Sequence, residues 1–443
     1  MSEIPLARSH PKELLKREIG PTGLAISIVN LTIGTGIFTL PALAAENLGA
    51  AAILCFFVCG IVIFLIALCF AEVGSKVQIS GGSYVYIEDA FGPYAGFLAN
   101  IIYLASCVFA DSAGAKVLAT ILLYFLPFKD GILYQDSIYI LLFSGLAYIN
   151  IRGTRQGLRL IYLTSAAKLI PLILLIVLGA RHVQISNLHW SHIPSLHEIG
   201  EGTMILFFAF TGIEVAVSNG GEFKNPSRTV PIGIIAGIIS VLVIYLLIQI
   251  VSQGILGAAL PQFKEAPLAE VANRAIGWSG LFLISFGMFF SILGSVSGEV
   301  LGSSRMLFAG ARDGIYPHLL FKTHKKFFTP YWSVLVYCAA DLCMSLIGNF
   351  KQLILLASTA ILLVYLGVVW AAWKIKLNKK RRAEKGFSMP GGWVIPLLTT
   401  LIIFWLLFQL SLMEIYGTLA FLAISSLIYL GIFLYKKGKK PGS

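Results

Sequence analysis

Six ionisable residues lie inside long apolar stretches of the chain: Asp111, Lys116, Lys168, Glu214, Glu299 and Asp341. Charge at that depth in a membrane is costly and usually marks function. Lys168, in S-A-A-K-L-I-P, is about halfway along its stretch. Desolvation opposes its charge, so it can release a proton; the alternative is a static ion pair that tethers two helices. A second chemistry comes from backbone. The first apolar stretch is interrupted by Gly34-Thr35-Gly36 in I-G-T-G-I-F, and the sixth by Thr211-Gly212 in F-F-A-F-T-G-I-E. A lone membrane glycine commonly means close helix packing. Here both interruptions open five-helix halves, and paired interruptions at corresponding positions point to a midplane transport site. Exposed N–H groups at a helix break suit a carboxylate and exposed C=O groups suit an ammonium. An α-amino acid carries both, so the residues themselves propose a zwitterion site.

The elements that must hold these groups follow from composition. Of 443 residues, 57% are hydrophobic and 12% charged, and the mean hydropathy is +0.85. A soluble domain carries roughly twice that charged fraction. Apolar stretches lie near 21–43, 49–72, 92–126, 136–151, 157–180, 198–219, 230–257, 276–309, 330–348, 351–373, 393–412 and 414–436. A bilayer-spanning helix needs about 20 mostly apolar residues, and no β-barrel shows runs this long. The fold class expected is therefore an all-α polytopic membrane protein with twelve transmembrane helices. The net charge of +12 does not indicate nucleic acid. Of the 33 Lys and Arg, only Lys129, Arg181, Lys264, Arg274 and Lys351 fall in loops on the sparse side, and Lys116 and Lys168 fall inside helices. The rest sort to the other side, which is the positive-inside bias with both termini cytoplasmic. The lipid bilayer is the expected surrounding, and the cell (inner) membrane the expected location. The first 20 residues are polar and basic, so no cleaved signal peptide is expected.

Four blocks in order carry a resemblance: I-G-T-G-I-F-T-L-P (33–41), G-G-S-Y-V-Y-I-E-D-A-F-G-P-Y-A-G-F (81–97), F-A-F-T-G-I-E with E-F-K-N-P-S-R-T-V-P-I-G-I (208–234), and A-R-D-G-I-Y-P (311–317). With these the chain resembles the amino acid–polyamine–organocation permease superfamily from about Gly20 to the twelfth stretch. The resemblance implies the leucine-transporter fold. Residues 1–20 are then a cytoplasmic tail, 21–180 a first inverted repeat, 198–373 a second, 393–436 two further helices, and 437–443 a cytoplasmic tail. It also implies a substrate-binding set around the first break: Thr32, Ile33, Gly34, Thr35 and Gly36, with Thr35 and the Gly36 N–H on the substrate carboxylate. Carbonyls of Thr32, Phe208 and Thr211 would take the α-ammonium, with Gly212 beside them. Phe208 stands where relatives place an aromatic gate.

The same resemblance gives the charges roles. Proton-coupled relatives carry a lysine like Lys168 where sodium-coupled relatives hold sodium, near the backbone of the first helix and Ser295; exchangers carry one too. Lining stretches 3 and 8 up with an antiporter of the family brings Asp111, with Cys107 one turn before it, and Glu299 to the substrate side chain. Glu299 replaces an aromatic there. Two acids would favour a cationic amino acid or attract a polyamine, though the G-T-G segment argues for an amino acid. Alternatively, Asp111 pairs with Lys116 and Glu299 with Lys168, leaving an apolar pocket for a neutral substrate. Asp111 and Lys116 are five apart, whereas helical partners prefer three or four. Glu214 matches a family glutamate that serves either as a proton sensor or as a structural hydrogen-bond partner.

Other functions lack their residues. There is no H-E-x-x-H, G-x-S-x-G or Cys/His cluster for an enzyme or a cofactor, and no filter loop or ring of charges for a channel. The six cysteines read as small packing residues, and His189, His192 and His197 as solvated. The expectation is a secondary active amino-acid transporter coupled to protons, with amino-acid exchange, polyamine transport and amino-acid sensing without flux as alternatives.

Overall fold

The computed structural model describes residue 17 and residues 19–77, 82–125, 132–152, 154–190, 193–217, 223–264, 266–312, 315–378 and 386–438, without the side chains of 132, 154–166 and 435–438. The terminal tails, the basic run 379–385, Gly81, His192, Glu222, Asp313 and Gly314 fall wholly or largely outside that set.

Every long element among the described residues is a helix. In chain order they are α1 Pro21–Thr32, α2 Gly36–Leu48, α3 Ala52–Lys76, α4 Ser83–Phe91, α5 Pro93–Phe125, α6 Ile132–Arg152, α7 Thr154–Gly179 and α8 Leu196–Phe207. They continue with α9 Ile213–Ala216, α10 Pro226–Leu256, α11 Pro267–Ile276, α12 Trp278–Arg312, α13 Tyr331–Ile347, α14 Phe350–Leu377, α15 Val394–Leu407 and α16 Leu412–Gly438. Among the described residues, seven helical runs are long and apolar enough to cross a membrane, and 21–32, 331–347 and 394–407 are shorter apolar helices. The starts have local causes. Pro21, Pro226 and Pro267 open α1, α10 and α11, where a missing N–H costs nothing. Ser195 and Glu198 form a reciprocal cap on α8.

Two short helices lie where the sequence reading had only loops. α4 is set between Gly82 and Gly92, both at positive φ, and buries Val85, Tyr86 and Ile87. α11 buries Leu268, Val271 and Ala272 and pairs Arg274 with Glu270 at 2.9 Å. At nine or ten residues, neither reaches the length of a membrane-crossing run.

Small residues let the long helices approach. A Cβ on Gly233 or Gly237 of α10 would stand 2.7 Å from Leu24 or 2.8 Å from Ile28 of α1, and one on Gly287 of α12 would stand 2.8 Å from Pro171 of α7. Outward faces stay apolar, as with Ile140, Leu141, Ile239, Leu427 and Phe433. One end is fastened by charge. Fully buried Glu72 of α3 accepts from Lys376 of α14 at 2.8 Å, Lys76 at 3.2 Å and the Met389 N–H at 3.1 Å. Ser75 receives the Phe387 N–H at 2.8 Å. Removing one member of a buried ion pair leaves the other uncompensated. Glu72→Ala should therefore cost about 3–5 kcal/mol, read as a lowered melting temperature in detergent, with Glu72→Gln recovering part of the loss.

Candidate functional site

The chain leaves helical geometry twice inside its bundle. α1 stops at Thr32, Ile33 turns out with ψ 86°, and α2 resumes at Gly36. A short 310 turn, 208–210, follows α8, then Thr211 is extended, Gly212 takes φ 128°, and α9 begins at Ile213. The two breaks touch. A Cβ on Gly36 would stand 2.7 Å from the Ala209 Cα, and one on Gly212 would stand 3.0 Å from the Leu31 C and the Thr32 N. Only a residue without a side chain permits that approach at Gly36, and at Gly212 the positive φ adds strain for any other residue. α2 begins with N–H groups that have no partner inside the helix, as all helices do, and Thr35 supplies no side-chain cap.

Two tyrosines that the sequence reading did not single out hold these breaks. The Tyr245 hydroxyl of α10 lies 3.0 Å from the Thr32 carbonyl and 2.8 Å from the Ala209 carbonyl, sharing its one proton between both breaks. The Tyr365 hydroxyl of α14 donates to Glu214, whose carboxylate also accepts the Gly212 N–H at 3.0 Å. Glu214 thus stands as a hydrogen-bond partner of the second break. The only sequence signal for either tyrosine was a polar ring in an apolar stretch, and a buried tyrosine generally needs a partner. Carbonyls named for the α-ammonium have internal partners here. Thr32 O also receives the Gly34 N–H at 2.8 Å, which with Tyr245 uses both its lone pairs, and Phe208 O accepts the Thr211 hydroxyl at 2.9 Å. Phe208 is buried at the start of the 310 turn.

Lys168 of α7 is buried, and its Nζ donates to the Asn30 carbonyl on α1, one turn before the break. Ser295 Oγ lies 3.6 Å from where a Gly34 Cβ would be. Among the described residues, neither Asp111–Lys116 nor Glu299–Lys168 forms a pair. Lys116 sits over the Tyr139 ring, 5.2 Å from its centroid. Asp111 instead accepts from Tyr337 of α13 at 3.0 Å and lies within electrostatic reach of Asp341 and Glu299. Glu299 of α12 lies within electrostatic reach of Glu214 and of Cys107. Four acids therefore run from the second break through α12 and α5 to α13, and no described lysine or arginine pairs with them. Among the described residues, no His, Cys, Asp or Glu group could hold a metal ion. A cavity of about 440 Å³ opens toward the C-terminal end of α5, between Thr120, Tyr124, Lys264, Glu270 and Ser285.

Comparison with known proteins gives concordant results. The profile described as "Amino acid permease" matches residues 19–435. The serine/threonine exchanger SteT of Bacillus subtilis (strain 168) is 29% identical over 87% of this chain and 89% of its own length. The branched-chain amino acid permease BcaP of the same organism is 24% identical over 98% of this chain and 96% of its own. The arginine/agmatine antiporter of Chlamydia pneumoniae is 27% identical over 96% of this chain and 92% of its own.

The contact between the breaks is open to test. Gly36→Ala should push the breaks apart and abolish substrate-induced thermal stabilisation. Tyr245→Phe leaves two buried carbonyls short of a donor and should cost about 1–3 kcal/mol, read by thermal unfolding. A Gly36→Ala protein that still gains stability from substrate would show that the close approach is dispensable.

Proposed function

The chain belongs to the amino acid permease family, and from that premise we propose that it is a secondary active amino-acid carrier working by alternating access. It is not an enzyme. In this reading twelve crossings form two inverted repeats of five, 21–180 and 198–373, with α15 and α16 added. Matching features support the repeat: each half opens with a broken helix, places a short helix (α4, α11) after its second crossing, and continues into its longest helix, α5 or α12. The positive-inside charge pattern favours cytoplasmic termini.

The observation that carries the proposal is the contact of the two breaks around Gly36, Ala209 and Gly212. Irregular backbone at membrane depth is tolerated where it is buried in protein or lines a cavity. The substrate carboxylate takes the Gly36 N–H and Thr35 at the opening of α2. The α-ammonium takes the Thr211 carbonyl, with Ile33, Gly34 and Gly212 around it; Thr32 and Phe208 join when Tyr245 and Thr211 yield their hydrogen bonds. Phe208 closes the site. Lys168 carries the coupling proton: protonated, it holds the Asn30 carbonyl and so the α1 side of the break; deprotonated, it loses a donor and loosens that side. Glu299, only partly buried and near other acids with which no described lysine or arginine pairs, receives a cationic substrate side chain. The serine/threonine exchanger and the branched-chain permease among the relatives favour a neutral substrate instead.

Reconstituted vesicles decide between these. Saturable uptake accelerated by internal substrate is expected, which a sensor without flux would not give. Lysine, arginine and ornithine should compete better than leucine, serine or a polyamine. Glu299→Gln should reduce cationic uptake at least tenfold and leave leucine nearly unchanged; equal loss for both favours the neutral substrate. Lys168→Ala should remove stimulation by an inward proton gradient, and full stimulation in that variant would exclude Lys168 as the coupling group.

A further inference from the structure

Asp341 lies near the middle of α13, and its side chain has no place in the site above. It is fully buried. Both of its carboxylate oxygens are buried and lack a hydrogen-bond partner. Its surroundings fix where it points. Ser112 of α5 donates to the Asp341 carbonyl at 2.9 Å, which brings the backbone of Asp341 against the residue next to Asp111. Tyr337, one turn earlier on α13, donates to Asp111 Oδ2 at 3.0 Å. Tyr337 and Asp341 therefore share the face of α13 that meets Asp111, which puts the two carboxylates within electrostatic reach of each other across the α5–α13 contact.

We propose that Asp111 and Asp341 form a proton-binding pair that holds one proton between their carboxylates, with Tyr337 fixing Asp111. Two buried carboxylates that share a site do not both ionise. One proton removes the repulsion and gives the otherwise unpartnered Asp341 its hydrogen bond: the protonated carboxyl of one donates to the carboxylate of the other, and the pair keeps a single negative charge. A proton occupies no volume, which matches carboxylate oxygens buried among packed helices. Calcium needs six to eight oxygen ligands, and a side-chain ammonium needs room. The ionisable groups facing the pair are Tyr337 and Cys338 of α13, Cys107 of α5 and Glu299 of α12. Among the described residues, α6 and α14, which also pack on α5, bring no ionisable side chain against it.

The pair is a second proton station, separate from Lys168, which bonds the α1 backbone. Glu299 lies within electrostatic reach of the pair and of Glu214 at the second break. Uptake and release of this proton therefore alter the electrostatics of the substrate site without a residue of the pair touching substrate.

Infrared spectroscopy of the full chain in nanodiscs tests the pair without any substrate, so its outcome is independent of the transport reading. At neutral pH the wild type should show the C=O band of a buried carboxylic acid, shifted by deuterium exchange. The wild type minus the Asp111→Asn/Asp341→Asn double variant should equal one acid per chain. No such band in the wild type overturns the proposal, and this measurement stands even if the double variant does not fold. In vesicles, Asp341→Asn should move the pH midpoint of uptake by at least tenfold in proton concentration while counterflow persists. An unmoved midpoint, with binding of lysine or arginine weakened tenfold more than that of leucine, would make the pair a subsite for the substrate's cationic end and overturn it.

Discussion

Backbone hydrogen bonding inside a membrane is the constraint on which this structure turns. A break in a membrane helix strips several peptide groups of their partners, and hydrocarbon offers none. Here one break helps to satisfy the other. Tyr245 bridges a carbonyl of each, Glu214 accepts the N–H of Gly212, and glycines at the contact let the strands of irregular chain meet. The remainder of the bundle is arranged to protect this junction: α10 and α14 bring the tyrosines, α7 brings Lys168 to α1, and α5 with α12 closes the side carrying the acids.

Charge is distributed asymmetrically about the junction. The one buried lysine near the first break is held by a backbone carbonyl and not by a carboxylate. The acids gather on the other helices, and among the described residues no lysine or arginine pairs with them. The two ion pairs that the sequence also allowed fail for geometric reasons. Asp111 and Lys116 are separated by about 140° around a helix, so Lys116 turns to the Tyr139 ring while Asp111 turns to α13. Lys168 reaches α1 before it can reach Glu299.

Several features were legible in the residues alone. Apolar length and the sorting of Lys and Arg dictated a multi-pass helical membrane protein, because hydrophobic thickness and the positive-inside bias act on local sequence. Gly34, Gly36 and Gly212 marked the breaks, because glycine in a helix is a local cost that the chain shows openly. The family motifs near both breaks carried the resemblance to amino acid permeases, whose profile matches residues 19–435. α4 and α11 escaped notice because nine or ten residues carry too little periodic signal to separate a helix from a loop.

The partners of each polar side chain were decided only in three dimensions. Tyr245, Tyr365 and Tyr337 lie 213, 151 and 226 residues from the groups they bind, and no local pattern encodes a bond across that distance. Asp341 stood as one acid in an apolar stretch until α13 packed on α5 and set it opposite Asp111. Local sequence determined that the chain is helical and apolar and where its helices break. Helix packing decided which hydroxyl closes each break and which carboxylates face one another, because those choices depend on the rotation of each helix about its own axis.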